Sequence, residues 1–274
     1  MKSLGWRRGY VNNRKKSMKS SEIGPEYNSV CMAAYNGELY IKEQLDSILS
    51  QIDSKDEVII IDDGSSDNTV DIIRQIADSR IKLTENEKNL GVNSTFEKAI
   101  GMSTGRYIFL SDQDDIWTEG RYQLMIDALV QKKVMCVSGN LEAIDADGNR
   151  TEIDIEKLRP EDSCDYKGNI FRIFAGKAFY FGCTMAFDRK LKDIILPFPE
   201  DIECHDLWIA MAANYIRSNV HLDDIVLLHR MHGENATEYN RPLSAKLKSR
   251  IIMFSMLNTL KKRSKALALQ PEGL

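Results

Sequence analysis

Asp112-Gln113-Asp114-Asp115 places three carboxylates in four consecutive residues. Carboxylates this close repel one another, and their charged forms are favoured only where a cation neutralises them. Hard divalent ions suit such oxygens. Mg²⁺ or Mn²⁺ takes one or two carboxylates and completes its shell with water and phosphate oxygens, so a metal bridging a diphosphate is the chemistry this spacing suggests. Ile116 and Trp117 follow at once, marking a packed loop rather than a solvated acidic stretch. Further polar residues follow other short apolar runs: Tyr35 and Asn36, Asp62 and Asp63, Asn86 and Asn89. Singly, Asp and Asn are ordinary caps and turn formers, and capping is the expected role of Asp67 and Asn93. Their recurrence after each run is what a ligand-binding edge requires.

The elements that must position these residues follow from periodicity. Ser29 to Ala34 and Val58 to Ile61 read as buried strands around an amphipathic helix from Leu39 to Ser50. The pattern repeats with helix Asn68 to Ala77, strand Ile81 to Thr84, helix Asn93 to Met102 and strand Tyr107 to Leu110. Such alternation predicts an α/β fold with a mostly parallel, doubly wound sheet. In such sheets ligands sit beyond the carboxyl ends of the strands, where the polar residues above fall. After Trp117 the pattern loosens into a less regular half. It has a helix Arg121 to Val130, a strand Met135 to Ser138, a polar stretch to Gly168, and an apolar segment Phe179 to Phe187. A helix from Asp206 to Ile216, a strand Ile225 to Leu228 and a basic helical extension from Leu243 to Lys265 complete the chain.

Composition bounds the class. The 274 residues are 43% apolar and 28% charged, as in ordinary globular proteins. No run of about 18 apolar residues exists to cross a bilayer, and the N-terminus lacks the apolar core of a secretory signal; a cytoplasmic location is expected. Cys31, Cys136, Cys164, Cys183 and Cys204 are odd in number and form no C-x-x-C, which predicts reduced, mostly buried thiols. Residues 1 to 19 carry seven basic and no acidic side chains, residues 240 to 265 eight and none, and residues 20 to 238 carry 22 basic against 40 acidic. Residues 1 to 27 read as a flexible basic arm. Neither basic end has interleaved aromatics or a reading motif, so nucleic-acid binding is not expected.

Five motifs occur in order: Ser29-Val-Cys-Met-Ala-Ala-Tyr-Asn36, Val58-Ile-Ile-Ile-Asp-Asp-Gly-Ser-Ser-Asp-Asn-Thr69, Asn89-Leu-Gly91, Thr104-Gly-Arg-Tyr107 and Ser111-Asp-Gln-Asp-Asp-Ile-Trp117. This set resembles family 2 glycosyltransferases, in particular their bacterial rhamnosyltransferase-like branch. The likeness continues through Gly182-Cys-Thr-Met-Ala-Phe187, His205-Asp-Leu-Trp208 and His229-Arg-Met-His-Gly-Glu-Asn235, and so covers residues 28 to 240.

The resemblance implies a GT-A fold with a nucleotide-sugar-binding half at 28–117 and an acceptor half at 118–240, followed by the 241–274 extension. Ala33, Tyr35, Asp63, Asn89, Gly91, Asp112, Gln113 and Asp115 would then contact the nucleotide sugar, with Asp63 accepting from the base and Asp62 holding the loop. Asp115 is given sugar or supporting contact. Asp114 is the implied direct ligand of Mn²⁺ or Mg²⁺, with Asp112 and His232 completing that site. Asp206 is the implied catalytic base, its competing role being a helix N-cap; His205 stands beside it as a contributor.

The implied reaction is a single in-line displacement with inversion, from a dTDP- or UDP-sugar to a hydroxyl of a glycan or lipid-linked glycan. A sugar nucleotidyltransferase would need a Gly-rich phosphate loop where Ala33-Ala34-Tyr35-Asn36 stands. A non-catalytic nucleotide-sugar-binding protein would not need the acidic cluster. The closing helix carries Leu247, Ile251, Met253, Phe254, Leu257 and Leu260 among Lys246, Lys248, Arg250, Lys261, Lys262 and Arg263. It predicts either contact with the inner face of an anionic membrane or packing against the enzyme body or a second subunit in a homodimer.

Overall fold

The structure is a computed structural model that describes residues 25–177, 180–232 and 243–267. Most of the expected arm, residues 1–24, lies outside them. Tyr27 already belongs to the fold, because its carbonyl accepts from the Arg106 amide at 2.7 Å.

Strands β1 (Ser29–Ala34), β2 (Glu57–Asp62), β3 (Ile81–Glu85) and β4 (Tyr107–Ser111) alternate with helices α1 (Ile41–Leu49), α2 (Thr69–Ile76) and α3 (Val92–Met102). Then come β5 (Ile116–Trp117), α4 (Arg121–Lys132), β6 (Cys136–Ile144), β7 (Arg150–Thr151), α5 (Tyr166–Ala175), β8 (Met185–Asp188), α6 (Lys192–Ile195), α7 (His205–Tyr215), β9 (Asn219–Arg230) and α8 (Leu243–Ala266). All lie in one sheet of order β3-β2-β1-β4-β8-β6-β9-β5, with β7 paired to β6. The first four strands are parallel. Beyond β4 directions mix: β8 is antiparallel to both β4 and β6, and β9 runs parallel to β6.

Strands β1, β2 and β4 are buried on both faces, which is why they read as continuous apolar runs. Val30, Met32, Val58, Ile60 and Phe109 pack with α1, α2 and α4. Their neighbours Cys31, Ile59, Ile61, Ile108 and Leu110 pack with α3 and α5 to α8. The chain winds from β1 out to β3 and then crosses back to lay β4 on the other side of β1. This reversal leaves a crevice beyond the carboxyl ends of β1 and β4. It lies between the Tyr35 loop and Asp112 to Asp115.

The less regular half departs from expectation in two places. The polar stretch before Gly168 runs into a helix, α5, whose residues are mostly half-exposed, with only Asn169 and Ile173 buried. So little burial leaves no clean apolar stripe to read. β6 and β9 are longer than their apolar runs because an irregularity between Ser138 and Leu141 shifts their register. Asn140 fills it, its side-chain amide donating to the Leu222 carbonyl at 3.0 Å. Gly139 is required there, since a Cβ would lie 2.7 Å from Val226 Cγ2. All five cysteines are free; Cys31, Cys136 and Cys183 are buried, Cys204 half-buried and Cys164 exposed.

Candidate functional site

The crevice is closed at its base by side-chain amides. Gln113 Oε1 accepts from the Tyr35 amide at 2.8 Å and its Nε2 donates to the Tyr35 carbonyl at 2.9 Å. Gln44 Nε2 reaches Ser111 Oγ at 2.7 Å and the Asp112 carbonyl at 2.9 Å. Gln113 is therefore a clamp between the two loops, its amide bonded to backbone. Tyr35 is 46% exposed, its ring available to stack on a ligand.

On the β2 side the two adjacent carboxylates divide their work. Asp62 accepts from the Gly64 and Ser65 amides and the Ser65 hydroxyl, holding its own loop. Asp63 accepts from Asn86 Nδ2 at 2.8 Å and from the Leu90 and Gly91 amides, both at 2.9 Å. Gly91, at φ 85, is the residue from which α3 departs, and Asn89 Oδ1 also accepts from its amide. Asp63, Asn89 and Gly91 thus form one connected turn, with Asn89 exposed and Ala33 half-buried beside it.

The acidic cluster is built against the end of β9. β5 pairs antiparallel with β9, Ile116 facing Leu228, and this carries residues 229 to 232 onto the carboxylates. His232 Nε2 meets Asp114 Oδ2 at 2.8 Å, and the His232 ring lies 5.3 Å from that of Tyr40. His229 Nδ1 meets Asp115 Oδ1 at 2.8 Å, and the Arg230 amide donates to the same oxygen at 3.1 Å. The Arg230 guanidinium donates to the Asp114 carbonyl at 3.0 Å and to Glu43 at 2.7 Å. Asp115 is 1% exposed. Buried there, it holds His229 at the back of the cluster. Arg121, wholly buried, supplies a second countercharge, its guanidinium 4.3 Å from the Trp117 ring centre.

Electrostatics agree with an uncompensated site. Burial, then the charges of Asp115 and Asp114, push the Asp112 carboxyl up to about 8. Asp114 is raised by burial and by Asp115, against the pull of His232. Two strained carboxylates and an imidazole suit a hard divalent cation. Asp115 Oδ2 is buried with no hydrogen-bond partner, a further acceptor oriented by the cluster.

Asp115, Cys183 and His229 also bring ligand atoms within 4.8 Å of one another. Two members of this trio hold their protons more tightly than usual. Burial opposes charge on His229, but its hydrogen bond to Asp115 and the surrounding carboxylates win and raise it to about 9, while burial lifts the Cys183 thiol well above its ordinary range.

A stability prediction follows. The His229 value of about 9 lies above its ordinary 6.5, so the ion pair with Asp115 contributes fully below about 6.5 and is lost as pH climbs through about 9. Asp112, raised from 3.8 to about 8, acts in the same direction, because charging it costs more in the fold than in the unfolded chain. The melting temperature of the metal-free protein is expected to fall as pH rises from about 6.5 to 9. Scanning calorimetry across that range on His229→Gln should show a shallower fall; an unchanged slope would remove the pair from the account.

Asp206 sits in the first turn of α7, after a helix start at Cys204 that has no side-chain cap. The N-cap role weighed for Asp206 therefore belongs to another residue, although its Oδ1 accepts from the adjacent Leu207 amide at 2.7 Å. Capping also fails for Asn93, which lies inside α3 and reaches across the fold. Its Oδ1 accepts from the His205 amide at 2.9 Å, and its Nδ2 donates to the Ile202 and Glu203 carbonyls at 3.2 and 3.3 Å. Asp67 does serve the start of α2, accepting from the Thr69 amide at 3.0 Å. His205 is buried, stacked on Phe96 with ring centres 4.0 Å apart, and neither ring nitrogen has a partner. A Cβ on Gly182 would lie 2.7 Å from His205 Nε2 and 3.4 Å from Asp206 Cβ. The turn that puts Cys183 against Asp115 thus also puts Gly182 against His205 and Asp206, joining the acidic cluster to the acceptor half.

Arg121, His229 and Arg230 had no role assigned from the sequence, and Asn93 had only that of a cap. The clustering of His229, Arg230 and His232 within four residues was the one local signal for the first of these contacts.

Comparisons with known proteins agree. The profile of Glycosyl transferase family 2 matches residues 29–195. The dTDP-rhamnosyl transferase RfbG of Shigella flexneri is 31% identical over 79% of this chain and 77% of its own. The UDP-Glc:alpha-D-GlcNAc-diphosphoundecaprenol beta-1,3-glucosyltransferase WfgD of Escherichia coli is 34% identical over 42% of this chain, a match spanning 46% of that relative. Among solved structures, S. aureus TarS 1-349 in complex with UDP-GlcNAc superposes with a TM-score of 0.62 at 17% identity, covering 88% of this chain and 72% of that one. The mannosyltransferase PcManGT from Pyrobaculum calidifontis, in complex with GDP-Man and Mn²⁺, gives 0.57 at 20% identity over 92% and 77%. These likenesses identify the fold as GT-A, and among the described residues no helix is long and apolar enough to cross a membrane. With its motifs at the strand ends where that fold binds ligands, the chain belongs to glycosyl transferase family 2.

Proposed function

We propose that this protein is an inverting, metal-dependent glycosyltransferase. It moves rhamnose or another hexose from a dTDP- or UDP-sugar to a hydroxyl of a cell-surface polysaccharide precursor, at the cytoplasmic face of the membrane. The observation that carries the reading is the Asp114–His232 contact at the carboxyl end of β4, across the crevice from Tyr35 and Asp63. The relative named for dTDP-rhamnosyl transfer and the neighbours holding UDP-GlcNAc or GDP-Man support the donor class. A diphosphoundecaprenol-linked acceptor in another relative's name supports a lipid-linked one here.

Asp63 and Tyr35 bind the nucleoside, the ring of Tyr35 lying along the base and Asp63 held rigid by the Asn86, Leu90 and Gly91 donors. Asp114, Asp112 and His232 would hold Mn²⁺ or Mg²⁺, which when bound supplies Lewis-acid stabilisation to the departing diphosphate. Asp206 takes the proton from the acceptor hydroxyl as that oxygen attacks the anomeric carbon. A carboxylate can serve, because the hydroxyl becomes acidic only as the new bond forms in an oxocarbenium-like transition state. His205 lies buried behind Asp206, and that burial makes its ring a weaker base than a solvated imidazole.

Calorimetric titration with UDP and dTDP tests this reading. Binding is expected with Mn²⁺ or Mg²⁺ and at least about tenfold weaker in chelator, since one metal–phosphate interaction outweighs the 1.4 kcal/mol that corresponds to a factor of ten. Equal affinity under both conditions would sink it.

A further inference from the structure

We infer that the exposed face of α8 is a docking surface for an anionic lipid bilayer. The helix splits its apolar residues between two faces. Met253, Met256 and Leu260 are buried against the body, and Arg263 is committed there too, donating to the Ile194 carbonyl at 2.7 Å. Ile251 and Phe254 are instead 66% and 62% exposed. Lys248, Lys261, Lys262 and Lys265 are exposed as well. Positions 248, 251, 254, 261 and 265 are separated by three, three, seven and four residues, so they share one arc of the helix, and Lys262 flanks Ile251 three turns on. No acid occurs in α8, and among the described residues none of the four lysines forms an ion pair. Among the described residues, the packing against the enzyme body therefore involves one face of the helix and not the other.

Charge decides the occupant. A two-fold contact with a second copy would set this lysine-bearing arc against itself, with no acid on the helix to answer it. A bilayer rich in anionic headgroups answers the lysines, while its interface accepts Phe254 and Ile251 at the centre of the arc. Nucleic acid would match the charge and leave the two apolar side chains in water. The opposite, body-facing side of α8 carries Ser249, whose Oγ donates to Glu203 Oε1 at 3.0 Å, so the helix joins this surface to the loop that precedes Asp206. Lipid binding does not rest on the proposed function.

The test is co-sedimentation of the full chain with phosphatidylcholine vesicles, with and without phosphatidylglycerol. Binding is expected only with the anionic lipid, falling as salt is added. Lys261→Gln and Lys262→Gln should each weaken it about fivefold, and the double variant Ile251→Ser, Phe254→Ser about tenfold or more. An unchanged melting temperature certifies that these surface variants fold. Binding indifferent to phosphatidylglycerol, a double variant that sediments like the parent, a solution dimer dissociated by Phe254→Ser, or retention by duplex DNA without vesicle binding would each overturn the inference. Metal-dependent UDP or dTDP binding, measured on the same variants, separates the outcomes: its survival when vesicle binding fails leaves the proposed function standing and removes only the surface.

Discussion

Asp114→Ala is expected to reduce transfer by at least about a thousandfold while leaving a folded protein. The magnitude follows from the several kcal/mol that a Lewis acid contributes to a charged leaving group, with each 1.36 kcal/mol worth a factor of ten in rate. The fold should survive because the substitution removes a charge that burial and Asp115 already disfavour. Its side-chain contact to His232 is worth on the order of 1 to 3 kcal/mol, a loss that relief of the repulsion opposes. Melting near the parent temperature, together with nucleotide affinity that no longer responds to Mn²⁺ or Mg²⁺, would mark the loss as one of metal and not of structure. A fully active Asp114→Ala enzyme would remove the metal site from this account.

The first half of the fold, residues 28–117, was legible in the sequence because its signals are local. Val58 to Ile61 is an unbroken apolar run since β2 is covered on both faces, and the polar residue that ends each parallel strand marks the binding edge directly. The acceptor half was less legible because its order is enforced at a distance. β9 includes His221, Asp223 and Asp224, polar residues that interrupt an apolar pattern, and its register depends on Asn140 and Gly139 of another strand. The same holds within the site. Asn93 has the type and position of a local cap, yet its partners lie about 110 residues away. His229 and Arg230 acquire their roles only when β5 pairs with β9. Gln113 reads as one more polar member of the cluster until its two bonds to Tyr35 show it to be a clamp. Residue types thus marked the candidate site, and tertiary pairing decided which partner each of them meets.

That division matters most for Asp206, where structure has changed what a substitution should reveal. Its competing role as N-cap has gone to Cys204, and what remains to a structural reading is the bond to the Leu207 amide. Asparagine keeps a carbonyl oxygen able to accept that bond, fits the same volume beside Gly182, and cannot take a proton from a hydroxyl. Asp206→Asn is therefore expected to melt close to the parent and to bind UDP or dTDP with unchanged affinity, since Asp63 and Asp114 lie on other elements. Turnover should fall by a factor on the order of 100 to 10,000, the usual contribution of a positioned general base. The fall should appear in kcat and in kcat/KM for the acceptor equally, as for an interaction made only in the transition state. A rise in acceptor KM with kcat preserved would instead make Asp206 a binding residue. Near-normal turnover would exclude it as the base and transfer that role to His205, whose buried ring nitrogens have no partner, or to Glu203 or Asp201 on the same loop.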